Sequence, residues 1–232
     1  MAISLRLTAL LVLITGSLMC QVPANTIPLW DGSSFINSFG VTDTATYGQT
    51  ITMPAGGGTV TGFTFEIGNC GANVTLRGEV YGWDSGTSRA TGAALYESSP
   101  VVVTNNSAYQ AVTMNTGTLN LAAGNYVLFV STSRDQAGAP GSSCRFGSMG
   151  TGIDGRYTGG QFVYINNSAN PAQWTGSQWS SIAQDLAFQV NGTAVANQAT
   201  AVPAASTTSM MLGVAGVIGL GLLALTRRRL LS

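Results

Sequence analysis

Short runs of alternating apolar and polar residues, separated by glycine- and asparagine-rich turns, constrain the fold of this chain more than any other feature. In the stretch "TVTGFTFEIG", Phe63, Phe65 and Ile67 share one side, while Thr64 and Glu66 share the other. Successive side chains of a β-strand point to opposite faces, so this period of two predicts a half-buried strand.

The stretch "NVTLRGEVYGW" repeats the pattern and predicts an inner face formed by Val74, Leu76 and Val80. Its predicted outer-face residues are Arg77, Glu79 and Tyr81. Further candidate strands are "ALYESSPVVV", "AYQAVTMN", "GNYVLFVSTS", "GQFVYIN" and "DLAFQVNG". No segment before the C-terminal tail sustains a helical period. The spacing therefore predicts an all-β domain over residues 25–196, an antiparallel β-sandwich or jelly roll.

The composition is typical of an exported protein with hydroxyl- and amide-rich surfaces. Charged residues make up 8% of the 232 residues, against about 25% in an average soluble protein. All nine basic residues are arginines, and four of them lie near the termini, which leaves five against nine acidic groups in between. This negative balance argues against nucleic acid as a partner, because its phosphates need a basic surface.

Residues 1–24 are typical of a secretory signal peptide. Arg6 precedes the apolar stretch "LTALLVLITGSLM", which is too short and too soon followed by polar chain for a stable membrane span. Cleavage after Cys20 or after Ala24 fits the sequence. We therefore expect an exported protein of the cell envelope.

The C-terminal end predicts a single transmembrane helix over residues 209–226. This stretch is apolar and uncharged, at the lower length limit for crossing a bilayer. Its glycines are tolerated in lipid, where they aid close packing. Arg227, Arg228 and Arg229 follow at once and predict a cytoplasmic tail over residues 227–232 by the positive-inside rule. Residues 197–208, which are small and uncharged, are typical of a flexible stalk.

A proline motif, a Ser/Thr pair, a glycine-rich apolar helix and terminal arginines together resemble the PEP-CTERM sorting signal of bacterial exported proteins. The usual motif Val-Pro-Glu-Pro-Ser-Thr is matched here at Val202, Pro203, Ser206 and Thr207, with two alanines between. The resemblance implies recognition by an exosortase-type membrane enzyme and a role in exopolysaccharide or biofilm matrix. A plain membrane anchor remains the alternative for this segment.

Two cysteines, Cys70 and Cys144, remain once the signal is removed. In an exported domain such a pair favours a disulfide. A metal site is disfavoured because the chain has no histidine and too few cysteines for the usual zinc ligand sets. We expect neither a metal nor a cofactor.

The absence of histidine and lysine excludes most hydrolytic machinery. Neither a Ser-His-Asp nor a Ser-Lys arrangement can form without its base. Glycosidase chemistry needs only two carboxylates, and the candidates are Glu66, Glu79, Asp84 and Asp185. Glu79 lies two residues from Arg77, which favours a surface ion pair between them. We expect a non-enzymatic protein.

Aromatic residues beside polar, glycine-rich segments provide an alternative function, that of a carbohydrate-binding module. The candidate sugar-binding rings are Tyr81, Trp83, Trp174 and Trp179. Tyr81 and Trp83 share one side of their predicted strand and would form a flat platform if that side is open. If a second layer covers it, both rings belong to the core. The leading hypothesis is a structural or adhesive surface protein, and glycosidase activity is the third.

Overall fold

The computed structural model describes residues 23–40, 44–135, 144–150 and 157–194. These residues form an all-β structure of two antiparallel sheets, as the alternating pattern predicts. The strands are β1 (Ala24–Asn25), β2 (Phe35–Phe39), β3 (Thr46–Met53), β4 (Gly58–Gly68), β5 (Val74–Asp84), β6 (Arg89–Glu97), β7 (Val101–Val103), β8 (Tyr109–Leu121), β9 (Gly124–Ser131), β10 (Cys144–Gly147), β11 (Phe162–Ile165), β12 (Ser180–Ile182) and β13 (Phe188–Ala194). One short α-helix, α1 (Gln173–Gly176), precedes β12.

The first sheet is organised around β4. One edge of β4 pairs with β8, while β13 and β10 follow one another along its other edge. Strand β1 continues the sheet beyond β13, and β2 continues it beyond β10.

The second sheet has the order β12-β11-β3-β9-β5-β6, and β7 pairs with β5 beside β6. Strands β3, β9 and β5 form its centre and are paired along their lengths. This arrangement brings residues from distant parts of the sequence onto one surface.

The main hydrophobic cluster contains side chains from both sheets. Phe63 and Ile67 of β4 are fully buried there, as are Val74, Leu76 and Val80 of β5. The predicted inner faces of these two strands are therefore confirmed. Each such side chain contributes about 1.5–3 kcal/mol through its removal from water.

A disulfide joins Cys70, just after β4, to Cys144 at the start of β10. Both cysteines are buried, and 74 positions separate them in the sequence. The predicted pairing is confirmed. In the chain-entropy model a bridge of this span stabilises the folded state by roughly 4 kcal/mol.

No helix within the described residues is long and apolar enough to cross a membrane. The predicted helix over residues 209–226, the arginine tail and the sorting motif lie outside the described part of the chain, as do residues 1–22 of the predicted signal.

Candidate functional site

The outer face of the second sheet is the side of β5 that carries Glu79, Tyr81 and Trp83, opposite the main cluster. Tyr81 belongs to a second hydrophobic cluster together with Val127 and Phe129 of β9, and Trp83 packs against that cluster. Tyr81 of β5 pairs with Val127 of β9, so the residues of these two strands that share the face are neighbours across the pair. A layer of aromatic side chains covers the middle of the face.

Two tryptophans supply this layer. The rings of Trp174, on α1, and Trp179 lie 4.9 and 5.3 Å from that of Phe129. Trp174 Nε1 donates a hydrogen bond to Thr46 Oγ1, and Trp179 Nε1 donates to the Trp174 carbonyl. Tyr81, Trp174 and Trp179 are 7%, 1% and 3% exposed, so these three candidate sugar-binding rings lie in the core.

Trp83, the fourth candidate, lies at the edge of the aromatic layer and is half-buried. Its ring packs edge-on against Trp179, with centroids 5.7 Å apart. This contact fixes the orientation of the ring while leaving part of it accessible. The predicted pair of Tyr81 and Trp83 is thus divided between the core and the surface.

A cavity of about 270 Å³ begins at Trp83 and crosses the neighbouring strands, and we call it the Trp83 groove. Asn125 of β9 and Thr52 of β3 pair directly across the sheet, and Thr52 Oγ1 lies 2.9 Å from Asn125 Oδ1. Gln161 lies next to Thr50 of β3, whose Oγ1 accepts a hydrogen bond from the Gln161 N–H. The groove is therefore lined by an aromatic ring, amides and hydroxyls drawn from adjacent strands.

The far wall of the groove is the segment 157–161, which is held tightly against β3. A Cβ added at Gly160 would lie 1.8 Å from the Thr50 carbonyl oxygen, so only glycine permits this approach. The Tyr157 hydroxyl accepts a hydrogen bond from the Thr52 N–H, and Thr52 Oγ1 donates to the Gly159 carbonyl. These contacts define the position of the wall.

A second cavity, of about 350 Å³, lies on the other side of this wall and shares Thr158, Gly160 and Gln161 with the groove. Asp185 lines it and is itself almost completely buried. Its two oxygens accept hydrogen bonds from Gln49 Nε2 and from the Tyr157 N–H. This carboxylate therefore has a structural role, since it joins β3 to the groove wall.

The opposite end of the outer face carries a cluster of five ionisable side chains. Arg77 pairs with Asp135 and Glu97 at 2.7 and 2.8 Å, and Glu79 lies 3.6 Å from Arg134 Nε. The expected surface pair of Arg77 with Glu79 is therefore wrong. Glu79 is fully buried, and the guanidinium of Arg77 pairs with Asp135 and Glu97 instead.

Glu79 is a buried carboxyl close to several charged side chains. Among the described residues, neither of its oxygens has a hydrogen-bond partner. Its burial, followed by the nearby charge of Glu97, raises the pKa of Glu79 to about 8, against the opposing effect of Arg134. The group is therefore largely protonated at neutral pH.

Of the other carboxylates considered for glycosidase chemistry, Asp84 ends β5, the strand that also carries Glu79, while Glu66 lies on β4 and Asp185 precedes β13. Glu66 is on the first sheet, and burial raises its pKa. Asp84 accepts hydrogen bonds from Thr87 Oγ1 and the Gly86 N–H in the turn after β5, and these bonds lower its pKa. Asp185 is the one carboxylate among the described residues that line the two cavities.

The sequence pattern does not single out the polar residues of the groove. Asn125, Gln161 and Thr52 are among many amides and hydroxyls in this chain, so their type carries no signal. Asn125 and Phe129 are four positions apart on one predicted strand, so the sequence indicates that they share a face. Only the order of the strands in the sheet places Asn125 beside Trp83.

The described residues contain no group of three or more Cys, Asp and Glu side chains that could hold a metal ion. Comparison with protein-family models, with curated proteins and with solved structures finds no match to this chain.

Proposed function

We propose that this chain is an exported, non-enzymatic surface protein that binds polysaccharide in the Trp83 groove. The observation that carries the proposal is one partly exposed tryptophan, packed edge-on against Trp179, beside a row of amides and hydroxyls. A flat ring packs against the apolar face of a pyranose, while amides and hydroxyls both donate to and accept from sugar hydroxyls. The structural or adhesive role expected from the sequence would act through this contact.

The chemistry of the carboxylates favours binding over hydrolysis. Asp185 has both oxygens engaged by Gln49 and Tyr157, and Glu79 is inaccessible. A glycosidase needs two carboxylates that face one cleft about 5–10 Å apart, and the described groove lining offers no such pair.

We further propose that the two sheets stack as a β-sandwich, supported by their shared hydrophobic cluster. Residues 1–24 would direct export and residues 197–232 would supply the stalk, anchor and PEP-CTERM-like signal for an exosortase-type enzyme. Because Ala24 is buried and pairs with Val190, cleavage after Cys20 would keep β1 intact, and we favour that site.

Binding is tested by titrating the purified chain with a panel of soluble neutral polysaccharides, such as glucans, xylan and galactomannan, in a calorimeter. We expect Trp83→Ala to weaken binding at least tenfold, which corresponds to about 1.4 kcal/mol. Trp30→Ala is the matched control, because Trp30 is also half-buried but packs against Tyr109 on the first sheet. Equal losses in both variants, or no binding to any member of the panel, would contradict the proposal.

Sorting is tested by intact mass measurement of cell-associated and secreted forms from a host that carries an exosortase. Loss of the tail near Pro203–Thr207 is the expected result. A full-length mature form held in the membrane would indicate a plain anchor instead.

A further inference from the structure

Strand β8 is the longest of the described strands and forms an open edge of the first sheet. It spans 13 residues, Tyr109–Leu121, and pairs only with β4 among the described strands. On its other side every second backbone N–H and C=O faces outward. Such a row is a template for pairing with another strand.

The other strands with an open side in the described structure are short or charged. Strands β1, β7 and β12 have two, three and three residues, and β2 has five. Strand β6 has nine residues, but it begins at Arg89, ends at Glu97 and contains a register shift against β5. Short length, charge and bulges are the usual means by which proteins prevent edge pairing.

Strand β8 has only one of these protections. A bulge at Gly117, with φ +66°, interrupts its pairing with β4. Before the bulge, the seven residues Tyr109–Asn115 run in continuous register with β4 and include neither a charged residue nor proline. On the outer side Ala111, Thr113 and Asn115 are exposed.

We propose that the Tyr109–Asn115 edge pairs antiparallel with the same edge of a second copy, which joins the first sheets of two molecules into one. The partner is a second copy because two uncharged, hydroxyl- and amide-bearing strands meet without repulsion and can hydrogen-bond across the pair. The existing β4–β8 pair already contains such a contact, since Thr64 Oγ1 and Thr113 Oγ1 are 2.8 Å apart. This dimerisation does not depend on the Trp83 groove.

The test compares the full chain, purified in detergent, with the double variant Thr113→Lys/Asn115→Lys by sedimentation equilibrium. Like charges on paired strands repel, so the double variant should dimerise at least tenfold more weakly. Ala93→Lys/Ala94→Lys adds the same charge at exposed positions of β6 and should leave dimerisation unchanged. All three proteins keep the terminal segments, so association through those segments would not differ between them.

Hydrogen exchange of the unmodified chain provides a second readout that does not depend on how the variants fold. Backbone amides within residues 109–115 should exchange more slowly as the protein concentration rises, while those of β6 should not change. A chain that stays monomeric, a double variant that dimerises like the unmodified chain, or exchange independent of concentration would each overturn the proposal.

Discussion

Strand β5 carries Glu79 near its middle and Trp83 near its end, both on the outer face of the second sheet. Each residue lies in the environment that would be expected for the other: the carboxyl of Glu79 is fully buried, whereas the large aromatic ring of Trp83 is partly exposed. The difference comes from what lies over the strand. Trp174 and Arg134 cover the Glu79 end, with the guanidinium 5.3 Å from the ring centroid, and this cover ends at Trp83.

Burial on a sheet face therefore depends on what covers it and not on the residues of the strand itself. The covered end has a dense aromatic cluster and a cluster of ionisable side chains, and it contributes to stability. The open end retains a groove with polar lining, and it is available for a ligand. Variants at the two ends should therefore separate stability from binding.

Trp174→Ala should have the largest effect on stability. Removal of a fully buried tryptophan typically costs 3–5 kcal/mol, and here it also removes the hydrogen bond to Thr46. Urea unfolding should show this loss with an unchanged slope. Trp174→Phe should recover most of it, because a phenyl ring still covers Phe129. A loss below about 1 kcal/mol would mean that α1 does not seal the outer face.

The pH dependence of stability should report the burial of Glu79. Because its pKa is about 8 in the folded protein and near the model-peptide value of about 4.3 when unfolded, unfolding releases a proton between these values. The free energy of unfolding should therefore fall as the pH rises from about 5 to 8, by up to about 1.4 kcal/mol per pH unit.

Glu79→Gln should remove this slope, since the glutamine does not titrate. Glu97→Gln removes the neighbouring negative charge that raises the Glu79 pKa. The Glu79 pKa of this variant should therefore be lower, and the decline of its stability with rising pH should end at a lower pH. Unfolding curves collected at half-unit pH intervals test both. If the free energy of unfolding depends on pH in the same way for the unmodified chain and for Glu79→Gln, ionisation of Glu79 does not destabilise the fold.

The sequence predicts the inner faces well because alternation encodes which side of a strand is apolar. It does not predict β3, whose eight residues are almost all buried on both sides and include Gly48, Gln49 and Thr50. Gln49 can be buried because Asp185 and the Leu186 N–H are its partners. Those partners lie more than 130 positions away, so no local pattern indicates them.

The candidate site was predictable only in part for the same reason. The sequence predicts Trp83 as a candidate and places it on a strand. The alternation along that strand indicates which face the ring lies on, but not which residues pack over that face. The cover comes from Trp174 and Trp179, about 90 positions later, and α1 has only four residues. A helix this short leaves no periodic signal in the sequence.

Gly160→Ala should disturb the open end. The added methyl group would overlap the Thr50 carbonyl, so the wall segment must move away from β3, at a cost of about 1–3 kcal/mol. Polysaccharide binding should weaken at the same time. Gly176→Ala is the control, because an added Cβ there meets no atom within 4 Å, and its stability should change by less than about 0.5 kcal/mol. Equal stability of both variants would show that the wall is free to shift.

Trp83→Ala should reduce stability less than the loss of a fully buried tryptophan does. Part of its ring is already in water, so we expect a loss of about 1–2 kcal/mol by urea unfolding. Trp179→Ala removes the other member of the same edge-on pair, which is 3% exposed, and should cost about 3–5 kcal/mol. If Trp83→Ala is as damaging as Trp179→Ala, the aromatic cover extends over the groove end. Its ring would then be core, and the groove would have no platform for a sugar.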